Sequence, residues 1–451
     1  MADPERASSS SRRLRRPRAS ASSDPATTVG AAAHPALRAV AAVAIVLIAF
    51  REPVQQGLEV GHVAAVLLAP IWIPAFLRHR GAPVLAGLVV LSVVAGAWLT
   101  ASSSADHATS STEGVSASVL VLGVLGSVGV IVWARTLMRD ASVAVWFGFG
   151  MVAGINPGST LFSTNPWKFG LSVPLAVLLL ALAWRSGRRW VAVVVLVALI
   201  VMAGTNDSRS ELAVLLLVLL VVLWDLRPAT GRRGSVVSTL LVLGGLAVVV
   251  YQAGQALILE GYLGESTRQR TERQLDEAGS VIAGGRPELG AATALFQHHP
   301  WGFGSGTLPN LTDIQVAKTG MAALNYDPDN GYVENYLFGS SFELHSVLGD
   351  LWTRFGWAGI LLTIAILVVL VAAAGTAVTH RMAAALLVYV IVKSLWNIPF
   401  SPLFSAVPLL VLALGLSLAP PARQAAVGHR SPRVSADRTR PARRTHVRDA
   451  R

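Results

Sequence analysis

Few residues in this chain can move a proton or hold an anion, and their placement is uneven. Charged residues make up 14% of the 451, against 53% hydrophobic, and there is no cysteine. His345 opens HSVLGDLWTRFGWAG (345–359), which runs directly into the apolar ILLTIAILVVLVAAAG. An imidazole there can shuttle a proton near neutral pH. Arg209 lies in GTNDSRSE (204–211), and Arg286 in GGRPELGAATALFQHHPWGFGSG (284–306). Guanidinium groups stay charged and match phosphate or carboxylate oxygens two at a time. The GFGSG turn (302–306) has backbone N–H groups of the kind that cradle phosphates. Each feature also has a plainer reading. A lone arginine near a helix end snorkels to lipid head groups, a histidine caps an interface, and a glycine-rich turn is most often only a turn. His298 and His299 have no third ligand at metal-site spacing, so no metal is expected. DPDNG (327–331) has its glycine one position too early for a calcium loop and reads as a turn with a possible sugar-binding edge.

The elements that must position these groups are apolar runs of membrane-spanning length. They fall at 36–50, 57–77, 82–100, 115–138, 141–155, 168–184, 189–204, 210–225, 235–258, 347–374, 381–398 and 403–419. Strand alternation of the kind a lipid-embedded barrel needs is missing. The expected fold is an all-α polytopic transmembrane bundle of about 12 helices with one large extracytoplasmic loop. It divides into a basic tail (1–35), about nine spans (36–258), the loop (259–346), about three spans (347–419) and a second basic tail (420–451). The fifth span, holding Gly148, Gly150 and Gly154, is the weakest and is open to a re-entrant reading.

Charge orients the bundle. The net charge is +12, of which +4 lies in residues 1–38 and +7 in 420–451. These Ser/Pro/Arg-rich tails suit anionic lipid on the cytoplasmic side better than nucleic acid. RHR (78–80), ARTLMRD (134–140), WRSGRR (184–189), DLRPATGRR (225–233) and THR (379–381) alternate with connections at 101–114, 156–166 and 397–402 that contain no basic residue. The positive-inside rule then places both termini in the cytoplasm of a multi-pass membrane protein, with Arg209, the loop and His345 outside. The first apolar run reads as an uncleaved anchor.

From His345 to Gly356 is eleven residues. On a continuous helix that is about 20° past three turns, placing His345, Gly356 and Gly359 on nearly one face. Glycines three apart let a second helix approach, as a packing motif would. Lys393, inside the eleventh span, is a secondary candidate, because ionisable groups at membrane depth are functional by default. Arg354 is another, with an i,i+4 pairing to Asp350 expected.

HSVLGDLWTRFGWAG resembles the His-[Asn/Ser/Gln]-x9-Gly-x-x-Gly pattern of the O-antigen ligase and polymerase superfamily of membrane glycosyltransferases. GGRPELGAATALFQHHPWGFGSG is similar to that family's arginine-bearing loop helix and Pro-x-x-Gly-x-Gly turn, and NDSRSELAVLLLVLL to its arginine segment entering a membrane helix. Together they cover 205–225 and 280–375. Ser210 and Glu211 replace small residues after the first arginine, and Gly290 stands where tryptophan is common. The resemblance implies a GT-C-like bundle that transfers a glycan from polyprenyl diphosphate to an acceptor hydroxyl on a lipid, a glycan or a protein. It implies His345 as the base, Arg209 and Arg286 at the diphosphate, inversion at the anomeric carbon, and no cofactor. Two other readings fit the same residues: a transporter or flippase of a lipid-linked glycan, and a non-catalytic membrane partner of an envelope complex.

Overall fold

The computed structural model describes residues 25–55, 57–226, 235–261, 264–279, 281–380 and 383–420. Most of the two basic tails, and the connection at 227–234, lie outside the described residues. The chain is an all-α membrane protein. In order, the helices are α1 (Pro25–Phe50), α2 (Val60–Leu67), α3 (Ala69–Leu77), α4 (Ala82–Ser103), α5 (Ser111–Leu137), α6 (Asp140–Ala153), α7 (Thr160–Thr164), α8 (Ser172–Ser186) and α9 (Arg189–Thr205). Then come α10 (Arg209–Asp225), α11 (Val236–Leu259), α12 (Glu265–Ala278), α13 (Val281–Gly284), α14 (Glu288–His298), α15 (Leu311–Ala322), α16 (Val347–Thr379), α17 (Ala385–Phe400) and α18 (Leu403–Ser417). A two-stranded hairpin, β1 (Pro53–Gln55) with β2 (Leu58–Glu59), joins α1 to α2.

Each of the twelve apolar runs coincides with a helix or a helix pair. Among the described residues, five are long and apolar enough to cross a bilayer: α4, α5, Trp167–Ser186, α11 and α16. The second run is not one straight span. It breaks at Leu68, and α2 and α3 meet at 78°. Pro70, in the first turn of α3, has no N–H to continue the helix before it. The Trp72 indole N–H donates to the Ala65 carbonyl across the bend at 2.7 Å. Helix α1 begins at Pro25, ten residues before the expected end of the basic tail. Proline suits a first helical position, where its fixed φ is already helical.

Helix α5 lies centrally, against α1, α2, α3, α4 and α18, while α16 packs on α4, α17 and α18. One large apolar cluster fills this bundle. A second, smaller cluster gathers residues of the 288–344 segment, including Ala291, Leu295, Phe303, Met321 and Phe342, around Trp352 of α16.

The two clusters meet where α16 is interrupted. Gly356 has φ 59° and ψ −142°, a non-helical conformation that side chains other than glycine rarely adopt. The expected continuous face from His345 to Gly359 therefore does not exist. His345 precedes the helix, whose N-cap is Ser346, and the break at Gly356 redirects everything after it. The close partner of Gly356 is the Trp301 carbonyl, and that of Gly359 is the carbonyl of Leu351, from the part of α16 ahead of the break. So Gly359 serves the bend alone, while Gly356 both makes the bend and lies against Leu99 of α4. WGFGSG (301–306) wedges into that bend. Phe303 and Gly304 N–H donate to the Thr353 carbonyl at 2.8 and 3.0 Å. Ser305 N–H reaches the Gly96 carbonyl at 3.2 Å, and Gly306 N–H reaches Thr100 Oγ1 at 2.9 Å. The turn spends its donors on the helices around it, which overturns the phosphate-cradle reading.

Gly356→Ala puts a Cβ against the Trp301 carbonyl in a backbone conformation alanine avoids. It should lower stability by about 2–4 kcal/mol. Gly87→Ala, in α4 with nothing within 4 Å of the added carbon, should be neutral or stabilising by up to about 1 kcal/mol. Thermal unfolding of both variants in one detergent checks the contrast.

Candidate functional site

His345 is held by its neighbours in an unusual backbone. Its φ is 50°, in the left-handed region. On one side, Leu344 N–H donates to Asp350 Oδ1 at 2.8 Å. On the other, Ser346 Oγ accepts from Gly349 N–H at 3.1 Å and donates to the Ile398 carbonyl at 3.1 Å. Asp350 Oδ2 accepts from Leu403 N–H at 2.7 Å, at the start of α18. Buried Asp350 thus ties one flank of the histidine to α18, and Ser346 ties the other to α17.

The imidazole Nδ1 faces the Tyr332 hydroxyl at 3.0 Å and lies 3.6 Å from Glu288 Oε1. Tyr332 has one proton, and it donates that proton to Glu288 Oε1 at 2.5 Å. Toward His345 the phenol oxygen must then accept, so Nδ1 carries hydrogen and, in the neutral ring, the lone pair is on Nε2. This tautomer is assigned from the network. Burial pushes the Glu288 carboxyl up, but the nearby imidazole, the Tyr332 hydroxyl and the Arg286 charge outweigh it and hold the group below the usual carboxylate range. Burial and the adjacent Glu288 carboxylate push the Tyr332 phenol far above its ordinary value, so it stays protonated. Glu288 Oε2 is buried with no hydrogen-bond partner among the described residues.

Arg286 immediately precedes Pro287, the N-cap of α14, and Glu288 is the first residue of that helix. A carboxylate there complements the helix dipole. Among the described residues no carboxylate lies within ion-pair distance of Arg286; its guanidinium sits 6.0 Å from the Phe400 ring. Arg209, at the start of α10, donates to Thr271 Oγ1 at 2.9 Å and Gln274 Oε1 at 3.5 Å, both on α12. The same Gln274 abuts Gly284 and Gly285, just ahead of Arg286. Glu288 therefore feels both Arg286 and His345, and Gln274 touches both Arg209 and the two glycines that precede Arg286. Asp207 collects two more cations, Arg270 at 3.4 Å and Lys168 at 3.8 Å.

The chain matches no family model, no curated protein and no solved structure. Function must be argued from these residues.

The secondary candidates are occupied. Lys393 Nζ pairs with Glu211 Oε2 at 2.6 Å, and Tyr389 donates to Glu211 Oε1 at 2.6 Å. All three are largely buried, between α10 and α17. Arg354 does not pair with Asp350. It donates to Ser341 Oγ and the Phe342 carbonyl, both at 3.3 Å, because Asp350 has already spent its oxygens on two backbone N–H groups. His299 stacks on Phe303, with centroids 4.7 Å apart. The residues that sequence reasoning missed are Glu288, Tyr332 and Glu211. Glu288 and Tyr332 stand 44 positions apart. The only local cue was an acidic residue placed directly after Arg-Pro at a helix start.

Breaking a buried ion pair from one side strands a charge, at about 3–5 kcal/mol. Glu211→Leu and Lys393→Met should each destabilise by that order, and the double variant should recover much of the loss. A double-mutant cycle on thermal unfolding measures it. Glu288 gives a pH prediction. Its folded-state pKa is lowered, so its stabilisation is complete above the ordinary carboxylate value and is lost as pH falls through the lowered one. Wild type should therefore lose more stability than Glu288→Gln on acidification below about pH 4.5, read from melting temperatures at stepped pH.

Proposed function

We propose that the protein is a membrane glycosyltransferase that moves a glycan from polyprenyl diphosphate to an acceptor hydroxyl. The observation that carries this reading is the Glu288–Tyr332–His345 chain, which turns Nδ1 of His345 toward Tyr332 and leaves Nε2 to take a proton, with Arg286 two residues ahead of Glu288. The resemblance of the same stretches to O-antigen ligases supports it.

In this reading twelve spans cross the cytoplasmic membrane, both termini are cytoplasmic, and the 259–346 segment lies outside. The acceptor hydroxyl gives its proton to Nε2 of His345 as its oxygen attacks the anomeric carbon. The bond from that carbon to the diphosphate oxygen breaks on the opposite face, so the configuration inverts. The departing electron pair stays on the lipid diphosphate, whose charge Arg286 and Arg209 offset with charge-assisted hydrogen bonds. The imidazolium formed is stabilised by Glu288 and then loses its proton to water. Electrostatic work of this kind is within reach of arginines and needs no cofactor. The acceptor is a lipid, a glycan or a protein.

A second reading has one observation behind it. Lys393–Glu211 is an ion pair among apolar helices, a common mark of transporters. One experiment separates the two. Purified protein is incubated with polyprenyl-diphosphate glycans extracted from the source membranes, and free polyprenyl diphosphate is measured with and without chelator. Release should persist in chelator. His345→Ala should lower it by about 10²–10⁴-fold, and Arg286→Ala or Arg209→Ala by about 10²–10³-fold each. A folded wild type that binds the donor and releases nothing favours the transporter.

A further inference from the structure

NYDPDNGYVENY (325–336) has a composition unlike any other stretch of the chain. It packs three tyrosines, three asparagines and three acids into twelve residues. In the structure these form a ledge that begins at the candidate base. Tyr332 touches His345 through its hydroxyl and is itself the middle of a row of rings. Tyr336 stacks on it at 5.4 Å and 29°, and Tyr326 meets it edge-on at 6.1 Å. Tyr336 is the outer member, 64% exposed, an uncommon state for a large ring outside lipid-facing helices. The DPDNG turn holds the row in place. Asp327 Oδ1 accepts from Asp329 N–H at 3.0 Å, and Asn330 accepts from Tyr332 N–H and donates to the Tyr326 hydroxyl, both at 3.0 Å. Asp329 is anchored by Lys318 at 2.9 Å while its side chain remains 79% exposed.

We infer that this ledge is a glycan subsite, with a pyranose ring stacked on Tyr336 and its hydroxyls on the carboxylate and amide edge of Asp329 and Asn330. Three features point to a sugar rather than to another ligand. A pyranose has an apolar C–H face that suits the electron-rich face of a phenol ring, whose hydroxyl remains free to hydrogen-bond. Its neighbouring hydroxyls match a planar carboxylate, which accepts from them, and an amide, which both gives and takes hydrogen bonds. Finally, the ledge starts one ring away from the base that the proposed reaction uses, so a sugar lying on it would deliver a reacting group to Nε2. The two exposed aspartates oppose binding of a phosphate, so the diphosphate belongs at the arginines and the ledge to the saccharide. The inference rests on the glycosyltransferase reading for its ligand class but not for its test.

The test is equilibrium binding, which needs no turnover. Full-length protein in phosphatidylcholine nanodiscs is offered a mixture of lipid-linked glycans extracted from the source membranes and unsubstituted decaprenyl diphosphate. Captured lipids are quantified by mass spectrometry. Wild type should enrich the glycan-bearing lipids at least tenfold over the unsubstituted one. Tyr336→Ala should bring that ratio close to one while leaving decaprenyl diphosphate capture unchanged, Tyr336→Phe should keep most of it, and Asp329→Ala should reduce it several-fold. His345→Ala should retain the full ratio. Wild type without enrichment, or Tyr336→Ala and Asp329→Ala both matching wild type, would overturn the subsite. A protein that enriches glycans through Tyr336 yet releases no polyprenyl diphosphate would keep the subsite and remove the transferase.

Discussion

The structure depends on one interruption. Helix α16 cannot run straight through Gly356, and the bend there turns the Thr353 carbonyl toward a turn from a different part of the chain. WGFGSG fills the bend, takes that carbonyl with two N–H groups, and reaches α4 with two more. Phe303 and Trp352 join the second apolar cluster from opposite sides of this contact, which adds to the tie between His107 and Asp313 at 3.0 Å. Buried backbone polar groups must be satisfied, since no water reaches them. The turn meets that requirement. It fixes where α14 ends, and with it where Glu288 and Arg286 begin.

From that anchor the site is built in two steps. Asp350 and Ser346 bind the backbone on either side of His345 to α17 and α18. Glu288 and Tyr332 then set the ring from the second cluster. The histidine thus stands at the junction of two independently packed bodies, its backbone belonging to one and its ring orientation to the other. Arg286 comes from the same helix start as Glu288, so a movement of α14 would shift the cation and the acid together.

Much of the helical framework is legible in the sequence, because hydropathy is additive: each apolar residue in a run adds to the same signal, and helices sit at each of the twelve runs. What hydropathy does not carry is direction. The bend at Leu68 depended on Pro70, and the break in α16 on a single φ angle at Gly356. Both positions read as continuous apolar sequence. Spacing rules failed where a stronger local partner competed. Arg354 is correctly spaced for Asp350, yet a buried carboxylate facing two backbone N–H groups satisfies them first. The candidate site was legible in His345, Arg209 and Arg286, residue types out of place in their surroundings. Glu288 and Tyr332 were not, because an acid at a helix start and a tyrosine in a turn are ordinary until folding brings them to one nitrogen. Glu211 was visible only as a departure from the family pattern, and it now accounts for Lys393.

The backbone at His345 also selects among side chains before any chemistry does. With φ at 50°, it admits glycine freely and, among the others, favours asparagine, aspartate and histidine. Asparagine, aspartate and glycine would fold there as readily as histidine, and none carries a ring nitrogen. A single exchange from that short menu would preserve the architecture and silence the position. On the glycosyltransferase reading, the fold thus carries a ready route to an inert twin, with the same helices, the same arginines and the same tyrosine ledge, able to hold a ligand but not to act on it.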